Sequence, residues 1–526
     1  MHQASPSIQS PAQQASEDRR VQPSTGSPEE LNHFRMLQQN LLPHIETIFQ
    51  DIVAEKTVVI IPSLSVDQEI LSKVDGAVHY EERMLAMLML LRMPRTHLIY
   101  VTSIPIDPVI VDYYLYLIPG ITGYHAQQRL TLLSCFDWSS KPLSQKILER
   151  PRLIERIRKS IPNGSSAHIA CFNMTGYERT LAVQLNIPIY GCDPDLLHFG
   201  TKSGSRKVFR DCGLTIPDGI EDLRDEEDIV HALIELKLQN PRLQKAVVKM
   251  NDGFSGEGNG VFSFDGAPDT GGLKNWIVNQ LPKRLNVVAK GLPYEVFMEK
   301  FNAMNGVVEE FIPGIIKHSP SVQGNITPTG VTEVVSTHDQ LLGGISKQTF
   351  IGANFPANPE YAGAIGKMGK EISEKLKDHG VIGRFSADFI SVKTEDSWKH
   401  YALELNLRKG GTTHPFIMLL GLTDGRYDAE RGTYLTANNQ RRYYFSSDNV
   451  QSECYRGLTP HDLMDIAIYN RLQYDGSSQQ GVMFHLCGAL SQYGKLGVVC
   501  IGDSHSRANA MYRRTILVLN KEGARK

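Results

Sequence analysis

No stretch of this chain can cross a bilayer as a helix. About 20 apolar residues are needed, and the longest apolar cluster, Met84 to Leu91, falls far short. An excess of one charge sign is also missing: 55 Lys and Arg stand against 57 Asp and Glu, a net charge of −2. The Arg pairs at Arg19-Arg20, Arg441-Arg442 and Arg513-Arg514 are scattered, so no basic footprint for nucleic acid forms. Cysteine is sparse. Seven residues (Cys135, Cys171, Cys192, Cys212, Cys454, Cys487, Cys500) match neither a zinc spacing nor a disulfide framework, and buried free thiols in a reducing cytosol are expected. The N-terminus has no charged segment leading into an apolar core, so a cytoplasmic location without a secretory signal is expected. No internal repeat is visible.

What is present is ample material for cores. With 526 residues, 41% of them hydrophobic and 21% charged, the chain is expected to form two to four domains. Residues 1–28, rich in Gln, Ser, Pro and Ala, cannot offset ordering entropy by burial and read as a disordered tail. Residues 29–192 alternate short β-branched runs (Thr57 to Ile61, His97 to Thr102, Ala167 to Phe172) with helical patterns (Glu81 to Arg92, Glu149 to Ser160, Gly176 to Leu185). Such alternation implies a doubly wound α/β domain with parallel strands.

Residues 193–452 read as a second domain. A helix is expected over Thr201 to Cys212, ended by Gly213, and another over Tyr361 to Asp378. Strands are expected at Ala246 to Met250, Gly260 to Phe264, Val307 to Phe311, Val331 to Ser336, Phe385 to Val392 and Tyr401 to Leu407. From His414 to about Ser452 the chain reads as polar with few periodic runs. Residues 453–526 read as a small terminal α/β unit, with a helix over His461 to Leu472 and strands at Val482 to Cys487 and Gly497 to Ile501.

Three constellations carry chemistry. The first is Lys249 with the loop after it, KMNDGFSGEGNG. A lysine ends a buried strand, and Ser255, Gly256 and Gly258 let backbone N–H groups approach phosphate oxygens. The loop lacks the Gly-Lys-Ser/Thr ending of a Walker loop and sits between strands, unlike a dinucleotide fingerprint, so alone it reads as a hairpin turn rather than a phosphate site. The second is Glu309-Glu310-Phe311-Ile312 at the end of an apolar strand, where a carboxylate can accept from an amine and the backbone can pair with a purine edge. Met298-Glu299-Lys300-Phe301 competes for that role. The third is Asp388 in one strand and Glu404, Asn406 and Arg408 alternating along the next. Alternate strand residues share a face. Two carboxylates and an amide oxygen suit Mg²⁺, and Arg408 falls where a transferring phosphoryl group needs positive charge. An amphipathic, half-solvated hairpin explains the alternation equally well.

Taken in order, these elements resemble the ATP-grasp superfamily, and most closely its peptide ligases of the pheganomycin-ligase type. The matching stretches are PSLSVDQEIL, GTKSGSRKVFRDCGLTIP, LELNLRKGGTTHP and GVMFHLCGALSQYGKLG. The resemblance implies a pre-ATP-grasp domain, an ATP-grasp domain whose two sheets clasp the nucleotide, and a small C-terminal domain. It implies ATP and Mg²⁺ (with Mn²⁺ as an alternative) as cofactors. It places Lys202 and Lys249 on phosphates, with Lys207 as an alternative to Lys202, and Glu309, Glu310, Phe311 and Ile312 at the adenine hinge. Asp388, Glu404 and Asn406 become metal ligands, and Arg408 and Lys249 become catalytic. The implied activity joins a carboxylate to an amine, of small-molecule or peptide substrates, through an acyl phosphate. A nucleotide-binding regulatory protein and a kinase of the same superfamily are the alternatives. No nucleic acid or membrane partner is expected, and the sequence leaves room for a homo-oligomer. Arg384 stands four residues before Asp388, and Ser386 occupies the nearer spot where some carboxylate ligases place an arginine.

Overall fold

The computed structural model describes residues 23–49, 51–66, 71–72, 74–253, 258–269, 271–289, 291–343 and 349–525. Most of the tail read as disordered, 1–22, lies outside them. Within its remainder, the Ser27 side chain caps the helix Pro28–Gln39.

Four parallel strands form the first sheet: β1 (Lys56–Ile61), β2 (Thr96–Thr102), β3 (Leu130–Ser134) and β4 (Ala167–Cys171), in the order β3-β2-β1-β4. Side chains alternate between its faces. Val58 and Ile60 pack into one core with Leu85 and Leu88, whereas Val59 and Ile61 pack into another with Leu143, Ile147 and Leu181. Both faces are therefore covered, which is why these strands read as continuous apolar runs. The helix between β1 and β2 is longer than expected, Ala77–Arg92, and is of the tighter 3-10 type.

Two antiparallel sheets follow. One has the order β5-β9-β6-β7-β8, built from β5 (Gly219–Leu223), β6 (Lys245–Met250), β7 (Asn259–Ser263), β8 (Asn286–Val287) and β9 (Gly306–Glu310). The other has eight strands, β14-β13-β10-β11-β12-β17-β19-β18. Its members are β10 (Lys317–Ile326), β11 (Thr332–Gly343), β12 (Thr349–Phe355), β13 (Gly383–Lys393), β14 (Trp398–Asn406), β17 (Tyr443–Gln451), β18 (Gly481–His485) and β19 (Lys495–Gly502). A small ribbon, β15 (Arg426–Asp428) with β16 (Thr433–Leu435), stands apart. The C-terminal strands β18 and β19 thus continue the large sheet through β17, and the helix His505–Gly523 covers them.

β10 and β12 are among the strands that escaped the sequence reading, and for β10 the reason is steric. β10 carries Pro320 and Gly324 in a central strand, where both weaken a strand pattern. Gly324 is required because the Phe385 ring crosses it: a Cβ there would come within 2.2 Å of that ring. The expected polar stretch from His414 to Ser452 is also corrected. It contains the helix Thr413–Thr423, β15, β16 and β17. That helix is buried nearly all round, so its sequence THPFIMLLGLT shows no 3.6-residue alternation to read.

The helix Ala77–Arg92 packs on the helix Thr413–Thr423. Gly421 admits the Met89 side chain, and Arg92 donates to the Gly421 carbonyl and to Asp424. One core accordingly runs from the first sheet into β17–β19, which brings the N-terminal unit against the large sheet. All seven cysteines are free thiols. Cys212 and Cys454 are only half-buried, against the expectation of full burial. Among the described residues no helix is long and apolar enough to cross a membrane.

Candidate active site

The sequence-singled residues converge from both antiparallel sheets. On β6, Ala246, Val248 and Met250 turn into the core of the five-stranded sheet, and Val247 and Lys249 turn the other way. Val247 pairs with Glu309 and Lys249 with Val307, so Lys249 and Glu309 share a face diagonally. The Lys249 ammonium donates to one Glu309 oxygen. The other accepts from Arg206 Nη1 at 2.8 Å. Arg206 also reaches Glu221 at 2.9 Å and the carbonyls of Pro217 and Gly219. Burial opposes the charge on Arg206, yet the two carboxylates raise its pKa.

Glu309 was read as the acceptor for an adenine amine. Both its oxygens are instead engaged by cations, while Glu310, Phe311 and Ile312 line the cavity beside it. Glu299 is removed from the competition, since it lies exposed on the helix Tyr294–Met304 rather than on a strand. Ser255 and Gly256 lie outside the described residues. Gly258 follows them, and its carbonyl oxygen accepts from Met250 N–H at 3.0 Å.

Lys202 is the first residue of the helix Lys202–Asp211, which Thr201 caps. That start is pinned twice, by Lys202 N–H and Ser203 N–H donating to Asn251 after β6, while Ser205 Oγ accepts from Leu405 N–H on β14. The Lys202 ammonium consequently stands 2.7 Å from Glu404. Lys207, the alternative, is half exposed on the outer face and donates to Asp222.

On the large sheet, Asp388 and Glu404 are direct register partners, and Ser386 pairs with Asn406. Asp388 accepts from Gln340 on β11 at 2.7 Å, and Arg408 Nη2 donates to Asn406 Oδ1 at 3.1 Å. Burial, then the neighbouring Glu404 charge, raises the Asp388 carboxyl to about 7. Burial also opposes ionisation of Glu404, but Lys202, Lys249 and Arg408 lower it. One carboxylate is thus held ionised by cations and the other is short of positive charge. Arg384, on the same strand face as Asp388, is buried beside Tyr190 and Glu333 with Nη1 unpartnered.

Lys249, Glu309 to Ile312, Asp388, Glu404, Asn406 and Arg408 all border one cavity of about 910 Å³. The same cavity is also lined by side chains that sequence reasoning missed, chiefly Arg83 from the N-terminal unit and Asp448 from β17. His414, read as a candidate substrate contact, stands 3.4 Å from Asp448 instead. The one visible signal for Arg83 was the charged trio Glu81-Glu82-Arg83 heading an otherwise Leu- and Met-rich helix.

Two antiparallel sheets closing on a cavity with lysines on one side and an acidic hairpin on the other make the ATP-grasp class of fold, and the middle of the chain matches an ATP-grasp family. The family described as "IQCH-like, ATP-grasp" matches residues 195–265 and 280–430, and the "PGM1 C-terminal domain" matches residues 462–515. The chain is 27% identical to an L-propargylglycine–L-glutamate ligase of Streptantibioticus cattleyicolor, over 87% of this chain and 92% of that one. It is 20% identical to IQ motif-containing protein H of Danio rerio, over 89% of this chain but 49% of that longer protein. Among solved structures it is similar to N5-carboxyaminoimidazole ribonucleotide synthetase in complex with ADP, with a TM-score of 0.51 and 14% identity over 89% of this chain and 98% of that one. It is also similar to Campylobacter jejuni biotin carboxylase in complex with a β,γ-ATP compound, with a TM-score of 0.50 and 12% identity over 86% of this chain and 89% of that one. These two likenesses concern the fold.

Proposed function

We propose that the chain is an ATP-dependent carboxylate–amine ligase that activates its acid substrate as an acyl phosphate. The observation that carries this reading is the meeting, around one cavity, of Lys249 from one sheet with Asp388, Glu404, Asn406 and Arg408 from the other. The ligase relative, whose name joins propargylglycine to glutamate, supports the reaction class over most of the chain.

In this reading Lys249 and Lys202 hold the α- and β-phosphates of ATP. Glu310, Phe311 and Ile312 receive the adenine, and Glu309 orients the Lys249 ammonium through their ion pair. Asp388, Glu404 and Asn406 are hard oxygen donors that would hold Mg²⁺ or Mn²⁺. The raised Asp388 carboxyl fits such an ion, because an added positive charge relieves the repulsion between the paired carboxylates. When bound, the ion neutralises charge on the phosphates. A carboxylate oxygen of the acid attacks the γ-phosphorus in line. The bond to the β,γ-bridging oxygen breaks, and ADP leaves with that electron pair. The amine nitrogen then attacks the acyl carbon, the carbon–oxygen bond to phosphate breaks, and the amine loses a proton to solvent. Arg408 faces the charge that builds on the transferring group.

The reading is tested by an ADP-release screen over L-amino acids, short peptides and other carboxylates, with mass spectrometry of the products. ADP release that needs an acid, with a product weighing acid plus amine less one water, is expected. A phosphate ester product, or ADP release indifferent to any acid, would contradict it.

A further inference from the structure

A buried charged cluster borders the cavity where the N-terminal unit meets the large sheet. Arg83, on the helix Ala77–Arg92, donates from Nη1 to Asp448 Oδ2 at 3.2 Å. His485 Nε2 donates to Asp448 Oδ1 at 2.8 Å, and His414 Nε2 lies 3.4 Å from the same oxygen. Burial opposes ionisation of Asp448, but the two histidines hold its carboxyl well below the usual range. The Arg83 guanidinium is flanked by the rings of Tyr80 and Phe172, each 4.6 Å away. Arg83 is only 4% exposed, borders the cavity, and has no hydrogen-bond partner for Nη2.

A buried guanidinium with an empty donor is costly, more so than a neutral group left without a partner. The positive charge of Arg83 also reaches Arg408, itself destabilised first by burial. The buried Arg83 and the half-buried Arg408 thus border one cavity, where an anion would relieve the repulsion between them. The His414, Asp448 and His485 ligand atoms also lie within 4.8 Å of one another, as a metal site would need. Both Asp448 oxygens already accept hydrogen bonds, however, and Arg83 puts a positive charge beside them, so an anion fits this place better than a cation.

We infer that Arg83 binds a carboxylate group of the acid substrate, with Asp448, His414 and His485 as positioning residues that aim its guanidinium. The assignment rests on the ligase reading and gives it a recognition residue contributed by the N-terminal unit. Asp448 occupies Nη1 and fixes the plane of the fork, and Nη2, with no partner of its own, is the donor left for a carboxylate oxygen. The γ-phosphate of ATP is the competing anion, and the two sources separate kinetically.

The test uses the full chain and, as probe, the member of the L-amino acid and carboxylate panel that gives most acid-dependent ADP release with wild type. Arg83→Gln is expected to raise KM for that acid at least about tenfold, with KM for ATP held within roughly twofold. Arg83→Lys keeps the charge but loses the fork, and is expected to fall between the two. It also supplies the same pair of constants should Arg83→Gln not fold. An unchanged KM for the acid, or an equal rise in both constants, overturns the assignment. If wild type shows no acid-dependent ADP release, the ligase reading itself fails, and this assignment falls with it.

Discussion

Glu404→Gln will lower kcat for ADP release by about a hundredfold to a thousandfold, the scale of losing one preorganised charge at a phosphoryl-transfer site. The substitution keeps the size and hydrogen-bonding shape of the side chain, so the β13–β14 hairpin should persist. What changes is charge. Lys202 loses its partner 2.7 Å away, and Asp388 loses the like charge that helps to raise its carboxyl to about 7. The second effect sharpens the test. If the pair serves only the fold, relief of the Asp388–Glu404 repulsion leaves stability level or improves it and leaves kcat alone. If the pair holds a cation at the phosphates, stability is level or better while kcat collapses. Steady-state ADP release beside a thermal melt separates the two outcomes.

Arg206→Met will destabilise the chain by about 3–5 kcal/mol, the cost of stranding a buried charge. Arg206 is 3% exposed and ties the helix Lys202–Asp211 to β9 through Glu309 and to β5 through Glu221. Methionine fills the space but leaves Glu309 with Lys249 alone and Glu221 with the half-exposed Arg210. Denaturant titration should show a lower midpoint with little change in slope. A loss below about 1 kcal/mol would place the ion pairs among weak surface contacts, contrary to their burial.

Much of the fold was legible because burial wrote it plainly. β1 and β2 are covered on both faces and so read as unbroken β-branched runs, and the β13–β14 hairpin alternates between a core face and a cavity face. β10 was illegible because Pro320 and Gly324 break its strand pattern, and Gly324 is there to admit the Phe385 ring. The helix Thr413–Thr423 was illegible for the opposite reason, since a helix buried all round has no polar face to set a period. For the site, the order of Lys202, Lys249, the hinge and the acidic hairpin could be read from the chain, because each is a charged residue at the end of a recognisable element. The pairing of Glu309 with Arg206 could not, as it depends on a helix and a strand 103 positions apart. Arg83 and Asp448 are 365 positions apart and meet only because the helix Ala77–Arg92 docks on the helix beside β17.

The most direct measurement follows oxygen. With the acid substrate labelled with ¹⁸O in its carboxylate and turned over with unlabelled ATP, the attacking oxygen leaves with the phosphate when the amine displaces it. Mass analysis of the released inorganic phosphate is expected to show one ¹⁸O per turnover, with the other retained in the amide carbonyl, and hydroxylamine in place of the amine should yield the hydroxamate. Phosphate that carries no label while ADP accumulates would contradict acyl-phosphate chemistry at this site.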